Sequence, residues 1–188
     1  MSAFQRKEYC LRAVAYLKVV APDDNSEVVA LSYNDSPVLK NIGHGLLVSY
    51  LVDEDQYYSY IQQQDLEAAG ISENELHSSA VNNLRAIAEQ KLQVKTYGSM
   101  YVALMDGNFE ASLILLPDFW SDWYGHLSPQ GFVATFPARD LLAFGDPENP
   151  NVVSELQAMC KRVTASEIDH PLTNQLFTNV GGAWRPYG

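Results

Sequence analysis

The fold of this chain is decided by the stretch SENELHSSAVNNLRAIAEQK (residues 72–91), which has the features of one long capped helix. Ser72 is a favourable N-cap residue, and Glu75 lies three residues later, where a capping box places its glutamate. Apolar residues then recur at helical spacing and form one stripe: Leu76, Ala80, Leu84, Ile87 and Ala88. We therefore predict a long central helix that buries one face.

Beyond this helix the apolar pattern changes to the alternation typical of strands. Residues 101–105 and 109–115 flank Asp106-Gly107-Asn108, and an Asp-Gly pair between alternating segments is a strong hairpin signal. In the second of these strands Glu110 falls on the face turned to solvent. The pattern predicts an α+β fold, a two-layer domain with a mostly antiparallel sheet packed by the long central helix and by terminal helices.

The flanking sequence predicts the remaining elements. The chain has 188 residues, which suits a single α+β domain over residues 1–188, with a loosely ordered tail from about residue 180. Helices are predicted at residues 2–20, 62–69, 118–124 and from Pro150 onward, and strands at residues 28–33, 46–52, 57–61, 132–136 and 141–144.

Composition indicates a folded protein of the cytoplasm. Hydrophobic residues make up 47% and charged residues 19% of the chain, which are ordinary values for a globular domain. The sequence has no secretory signal pattern, and no apolar run approaches the roughly 20 residues of a membrane span. Cys10 and Cys160 are far apart, so two buried thiols are favoured over a disulfide.

The net charge of −11 bears on the class of partner. A negative field repels phosphate backbones, so we do not expect nucleic-acid binding. The same field favours encounter with basic proteins. Solubility alone is an equally simple reason for an acidic chain, and this alternative stays open.

Catalytic sequence patterns are absent from the chain. It has no phosphate-binding Gly-rich loop, no Gly-x-Ser-x-Gly, no His-Glu-x-x-His and no Cys-x-x-Cys. We therefore assign no catalytic residue, no metal and no cofactor, and we favour a non-enzymatic protein over an enzyme. A dispersed site is still compatible with the sequence, because catalytic groups are brought together by the fold.

One local set of residues has metal-ligating chemistry. Asp118, Asp122 and His126 recur every four residues, so a continuous helix would align them on one face. Gly125 indicates that the helix ends before His126. We favour a solvated helix face followed by a loop histidine, and we predict no metal site.

The candidate binding residues are polar or aromatic. Arg139-Asp140 introduces charge between two apolar strands, where Arg139 either grips a carboxylate or phosphate or pins a bend, and we favour the bend. Asn83 adjoins the apolar stripe of the central helix, from which it can hydrogen-bond to the sheet. Trp120 and Trp123 form an exposed aromatic turn, which can contact a partner or a second copy of the chain.

Five blocks of the chain form a recognisable set: GLLVSYLVD (residues 45–53), DL with GIS (65–66 and 70–72), AVNNL (80–84), DGNFEASLIL (106–115) and FPARDLL (136–142). Together they resemble the YtpQ-like family of bacterial proteins, over roughly residues 37–145. The resemblance implies a cytosolic bacterial α+β protein and brings no catalytic residue or cofactor. Asn83, Glu110, Arg139 and Asp140 are the polar positions inside the similar blocks.

These observations lead to a functional hypothesis and two alternatives. The first is a non-enzymatic protein-binding module that masks a basic partner such as a toxin. The second is a small-molecule hydrolase with a dispersed site near Arg139 and Asp140, together with Asp118, Asp122 and His126. The third is self-association through the aromatic turn.

Overall fold

The computed structural model describes residues 2–20, 31–166 and 169–188. It has two compact units, Met1–Ala86 and Ile87–Gly188, and the boundary falls inside the longest helix. Each unit contains a sheet, and every strand pairing in the described ranges is antiparallel. The α+β prediction is confirmed. The assignment of both units to a single domain stays a prediction.

The first unit is built around one buried strand. Strand β3 is paired with β1 on one side and with β2 and β4 on the other. Its residues Val48, Tyr50 and Val52 are almost fully buried, as are Leu76 and Leu84 of the long helix. The elements are α1 Ala3–Leu11, β1 Val14–Val19, β2 Lys40–Gly43, β3 Leu46–Asp53, β4 Tyr58–Tyr60, α2 Gln63–Ala69 and α3 Glu73–Lys91, the last of which ends in the second unit.

Local sequence signals place the central helices correctly. The Ser72 hydroxyl accepts a hydrogen bond from the Glu75 amide at 3.1 Å, so Ser72 is the predicted N-cap of α3. Gly70 ends α2 in the left-handed conformation, with φ of 64°. The predicted strand over residues 46–52 and its partner over residues 57–61 are also confirmed, as β3 and β4.

The helix predicted over residues 2–20 is wrong beyond Leu11. The segment VAYLKV (Val14–Val19) is strand β1, which pairs with β3 at six positions. Valine and tyrosine favour a pleated surface, and the neighbouring strand outweighs the helical spacing of the apolar residues. Of the strand predicted at residues 28–33, residues 28–30 lie outside the described residues, and residues 33–36 form a turn.

The second unit is a six-stranded sheet with one helix packed on it. The strand order is β10-β9-β7-β8-β6-β5. Helix α4 begins behind the N-cap Asn149 with Pro150 at its first turn, as predicted, and buries Leu156 and Met159 against the sheet. The elements are β5 Gln93–Tyr97, β6 Met100–Leu104, β7 Phe132–Thr135, β8 Leu142–Gly145, α4 Pro150–Thr164, β9 Leu176–Val180 and β10 Ala183–Pro186.

The hairpin predicted at Asp106-Gly107-Asn108 is wrong. The hairpin lies one turn earlier, where β5 and β6 meet at Gly98-Ser99, and residues Ala111–Leu115 form a 3-10 helix. Glu110 explains the difference, because its Oε1 accepts hydrogen bonds at 2.8 Å from the amides of Met105 and Gly107. Glu110 is therefore not a solvent-facing strand residue. It is 3% exposed and closes the turn from inside.

The end of the chain is a second hairpin. The loose tail expected from about residue 180 is instead strand β10, which pairs with β9 from Ala183 to Pro186. Gly181 and Gly182 make the turn, with φ of 62° and 84°. No helix in the described ranges is long and apolar enough to cross a membrane.

Candidate functional site

The second unit carries an open groove of about 810 Å³, here called the aromatic groove. Its floor and walls come from the 3-10 helix Ala111–Leu115, the turn after it, the start of β7 and the β9–β10 hairpin. No charged side chain is among the described residues that line it. The lining includes Leu115, Trp120, Ser121, Gln130, Phe132 and Trp184.

Two tryptophans line this groove, the half-buried Trp184 and Trp120, which is 7% exposed. The rings of Trp120 and Trp184 meet edge to face, with centroids 4.7 Å apart. Trp120 Nε1 donates to the Leu113 carbonyl at 3.2 Å, and Trp184 Nε1 donates to the Ile114 carbonyl at 3.1 Å. Because both indole N–H groups are satisfied inside the protein, the rings present apolar area to the groove and no free donor.

Trp120 is more buried than the sequence suggests. It was expected to be exposed together with Trp123, but its side chain is only 7% exposed. It packs edge to face against Phe132 and Phe144, so it belongs to the core as much as to the groove. Trp123 is half-buried and is not one of the lining residues. The exposed aromatic turn is therefore wrong for Trp120.

The turn that holds Trp120 has an uncommon backbone. The predicted helix over residues 118–124 is a single π turn, Phe119–Trp123, in which the Tyr124 amide donates to the Phe119 carbonyl at 3.1 Å. Single π turns are rare and are often found at functional sites. Here the turn directs Phe119 and Trp120 into the core and leaves Ser121 and Asp122 exposed.

The opposite wall depends on a glycine. Gly131 has φ of 108°, and a Cβ at this position would collide with the Asn179 carbonyl oxygen. This close approach lets the Ser128–Gly131 turn, in which the Ser128 hydroxyl donates to the Gly131 carbonyl, lie directly against β9. The Asn179 side chain in turn accepts from the Gly182 amide at 3.1 Å and fixes the β9–β10 turn.

Two acidic residues adjoin groove-lining residues in the sequence. Ser121 lines the groove, and its hydroxyl donates to Asp122 Oδ1 at 2.8 Å. Asp122 is exposed, and Asp118 precedes the same π turn. The uncharged lining residues Pro117 and Ser121 are thus each followed in the sequence by an acidic residue, Asp118 and Asp122.

The Arg139-Asp140 pair lies elsewhere, in the bend between β7 and β8. The Arg139 amide donates to the His170 carbonyl at 3.4 Å, and its carbonyl accepts from the Ala111 amide at 3.0 Å. These backbone bonds hold the bend, and the pinning role of the Arg139 side chain that we favour from the sequence stays a prediction. Neither side chain lines the aromatic groove. A binding role for Arg139 or Asp140 stays a prediction.

Asn83 and Glu110 both have structural partners. Asn83 Nδ2 donates to the carbonyls of Leu11 and Ala13, each at 2.8 Å, and so secures the connection from α1 to β1. The acceptors lie at the end of α1 and in the connection to β1 and not in a strand, so the bonds differ from the expected bond to the sheet. Glu110 Oε1 is occupied as described above, whereas Oε2 is buried and has no hydrogen-bond partner among the described residues. A binding role for either residue stays a prediction.

The fold does not bring the three candidate metal ligands together as a metal site. Asp118, Asp122 and His126 form no metal-holding group, and the described residues contain no cluster of three His, Cys, Asp or Glu side chains. None of the three lines the aromatic groove. Cys10 and Cys160 are both buried free thiols, as predicted.

Comparisons with protein-family models, with curated proteins and with solved structures find no match to this chain. The resemblance to the YtpQ-like family therefore stays a prediction, and function has to be argued from the site itself. Sequence reasoning singled out Trp120 as a binding residue. It could not show that the turns Ser128–Gly131 and Gly181-Gly182 enclose one groove with Trp120 and Trp184.

Proposed function

We propose that this protein is a non-enzymatic protein-binding module, and that the aromatic groove receives an apolar side chain from a basic segment of its partner. The observation that carries the proposal is the Trp120–Trp184 surface, which is uncharged and has both indole donors already bonded. Such a surface offers contact area and little hydrogen bonding. That combination suits an aromatic or aliphatic anchor and does not suit a small polar substrate.

Charge supports a basic partner. Apolar contact in the groove gives affinity, whereas charges at the edge of an interface mainly set association rate and partner choice. Asp122 and Asp118 adjoin the groove, and the whole chain carries −11. A segment with an apolar anchor flanked by Lys or Arg satisfies both features. Masking of a basic cytoplasmic protein, such as a toxin, is the specific form of this proposal.

The direct experiment is selection of binding peptides from a random library displayed on phage, with the full chain as target. We expect enrichment of peptides that combine an aromatic or large aliphatic residue with nearby Lys or Arg. Each selected peptide is then titrated against the chain at several salt concentrations. Binding should weaken as salt rises, since exposed charges are screened.

Charge reversal separates the groove from the general field of the protein. Asp122→Lys lies beside the groove, and Glu148→Lys makes the same change at an exposed position of the same unit that does not line it. We expect Asp122→Lys to weaken the selected peptides several-fold more than Glu148→Lys. Equal effects, or selection of acidic or wholly polar peptides, would contradict the proposal. A dimer in light scattering that the peptides fail to dissociate would favour self-association instead.

A further inference from the structure

A second cavity lies in the first unit and differs in kind from the groove. It has a volume of about 470 Å³ and lies between α1, β4 and α2; we call it the polar pocket. The side chains that line it carry the ion pair of Arg6 and Asp65, hydroxyl groups and amide groups. The residues used below are Arg6, Tyr9, Ser59, Gln62, Gln64 and Asp65.

The carboxylate that lines this pocket has a partner on each of its oxygens. Asp65 is 7% exposed, and its Oδ1 accepts from Arg6 Nη1 at 2.8 Å. Its Oδ2 accepts from the Gln62 amide at 2.9 Å, which caps α2. Asp65 therefore neutralises and positions Arg6.

Arg6 has more donors than this ion pair uses. A guanidinium carries five N–H groups in a planar fork, and the side chain of Arg6 is 32% exposed where it borders the pocket. A buried acid that holds one edge of an arginine leaves the other edge oriented for an oxygen ligand.

The remaining groups add neutral donors. Tyr9 and Ser59 both line the pocket, and burial raises the pKa of Tyr9, so the phenol is protonated at neutral pH. Gln64 Nε2 donates to Gln62 Oε1 at 2.6 Å and to Asp35 Oδ1 at 3.4 Å, so both of its N–H groups already have partners. Guanidinium, hydroxyl and amide groups thus converge around one small volume.

We infer that the polar pocket is a binding site for a carboxylate group, with Arg6 as the charged anchor and the Tyr9 hydroxyl as a neutral donor. A planar carboxylate matches the fork geometry of arginine. Glu54 adds negative potential at Tyr9, so we expect weak, millimolar binding. The carboxylate can belong to a small metabolite or to the C-terminus of a peptide chain.

The test is an NMR titration of the ¹⁵N-labelled full chain. The probes are sodium acetate, triglycine with a free C-terminus and triglycine amide, each matched in ionic strength with sodium chloride. We expect saturable shifts of amides in α1 and around residues 59–65 with acetate or triglycine and none with triglycine amide or salt. Saturation by acetate with no response to triglycine indicates a small-molecule site, and tighter binding of triglycine indicates a peptide terminus.

Variants decide whether the pocket is responsible. Tyr9→Phe keeps the ring and the Arg6–Asp65 pair, and we expect it to weaken the responding probe about fivefold, the size of one hydrogen bond. Arg6→Gln should weaken it tenfold or more. Lys7→Gln is the matched control, because Lys7 lies in α1 beside Arg6, pairs with Glu75 of α3 and does not line the pocket.

Three results would overturn the inference. They are linear shifts that sodium chloride reproduces, saturable shifts confined to the second unit, and unchanged affinity in Tyr9→Phe and Arg6→Gln alike. Because the polar pocket and the aromatic groove are formed by different units, the same spectra report on each one separately. Failure here therefore leaves the proposal of a protein-binding groove unaffected.

Discussion

The aromatic groove and the polar pocket have opposite chemistry, and the difference lies in which polar groups remain unused. In the groove, both indole N–H groups are consumed by the consecutive carbonyls of Leu113 and Ile114, so the surface left over is apolar. In the pocket, a buried aspartate consumes one edge of Arg6 and leaves the other. Counting the donors that internal bonds leave free therefore indicates the ligand class more directly than composition does.

The largest expected effect tests whether the groove is part of the core. Trp120→Ala removes a side chain that is 7% exposed and packed against four aromatic rings. We expect a loss of about 4 kcal/mol in the free energy of unfolding, from lost burial and the cavity that remains. Trp123→Ala, at a half-buried position outside the groove, should cost clearly less. Urea unfolding measures both, and equal losses would mean that the groove floor is no better packed than its surroundings.

The next effect concerns the close approach of the opposite wall. Gly131→Ala forces a Cβ against the Asn179 carbonyl oxygen at a φ that disfavours side chains, and we expect about 3 kcal/mol of destabilisation. Gly181→Ala is the matched control, since its φ is also positive but no described atom lies within 4 Å of the added Cβ. It should cost about 1 kcal/mol. Similar costs at both sites would show that β9 can move away from the turn.

A smaller effect compares two ion pairs of α1 in the polar-pocket region. Arg6→Gln leaves Asp65 buried without its charged partner, and we expect a loss of about 2 kcal/mol in unfolding free energy. Lys7→Gln breaks the exposed pair with Glu75 and should cost less than about 0.5 kcal/mol. Thermal melts at neutral pH measure both. If the two variants melt together, Asp65 does not depend on Arg6 and the pocket loses its organising contact.

The smallest effect is a loss of stability on the acid side in the first unit. Tyr50 Oη lies 3.1 Å from His77 Nδ1, and burial lowers the pKa of His77 below its usual value. Below pH about 6.5 the unfolded chain then binds a proton that the folded chain does not, so stability falls as the pH drops. Burial also raises the pKa of Tyr50 to about 12, so stability falls again between pH 10 and 12.

Replacement of the histidine isolates its contribution. We expect His77→Gln to flatten the change in the urea midpoint between pH 7.5 and pH 5.5 and to leave the alkaline loss in place. An acid loss of the same size in the variant would assign it to other groups.

Local signals in the sequence are sufficient for most elements and insufficient for the site. Ser72 and Pro150 begin helices where predicted, and Gly70 ends the helix predicted over residues 62–69, because such helix ends depend on backbone chemistry that acts within a few residues. The Asp106-Gly107 turn does not form the predicted hairpin, because the buried Glu110 carboxylate accepts hydrogen bonds from two amides of that turn. The alternation of apolar residues in the sequence gives no sign of these hydrogen bonds. Strand β1 is likewise decided by its pairing with β3.

The groove required contacts that no short stretch contains. Trp120 and Trp184 are 64 positions apart in the printed sequence, and only the antiparallel order β10-β9-β7 brings the chain end beside the π turn. The requirement for glycine at position 131 also comes from a tertiary contact, because an added Cβ would meet the Asn179 carbonyl oxygen of β9. The acidic residues Asp118 and Asp122 are evident from the sequence, whereas the apolar lining of the groove next to them is not.

The most direct test of the protein-binding proposal uses the three indole N–H signals of the ¹⁵N-labelled chain. The tightest basic peptide from the library selection is titrated into the full chain, and the signals of Trp120, Trp123 and Trp184 are followed together. The proposal predicts that Trp120 and Trp184 shift with the same saturation curve, whereas Trp123, outside the groove, shifts least. Saturable binding that leaves Trp120 and Trp184 unmoved, or that shifts Trp123 alone, would contradict it.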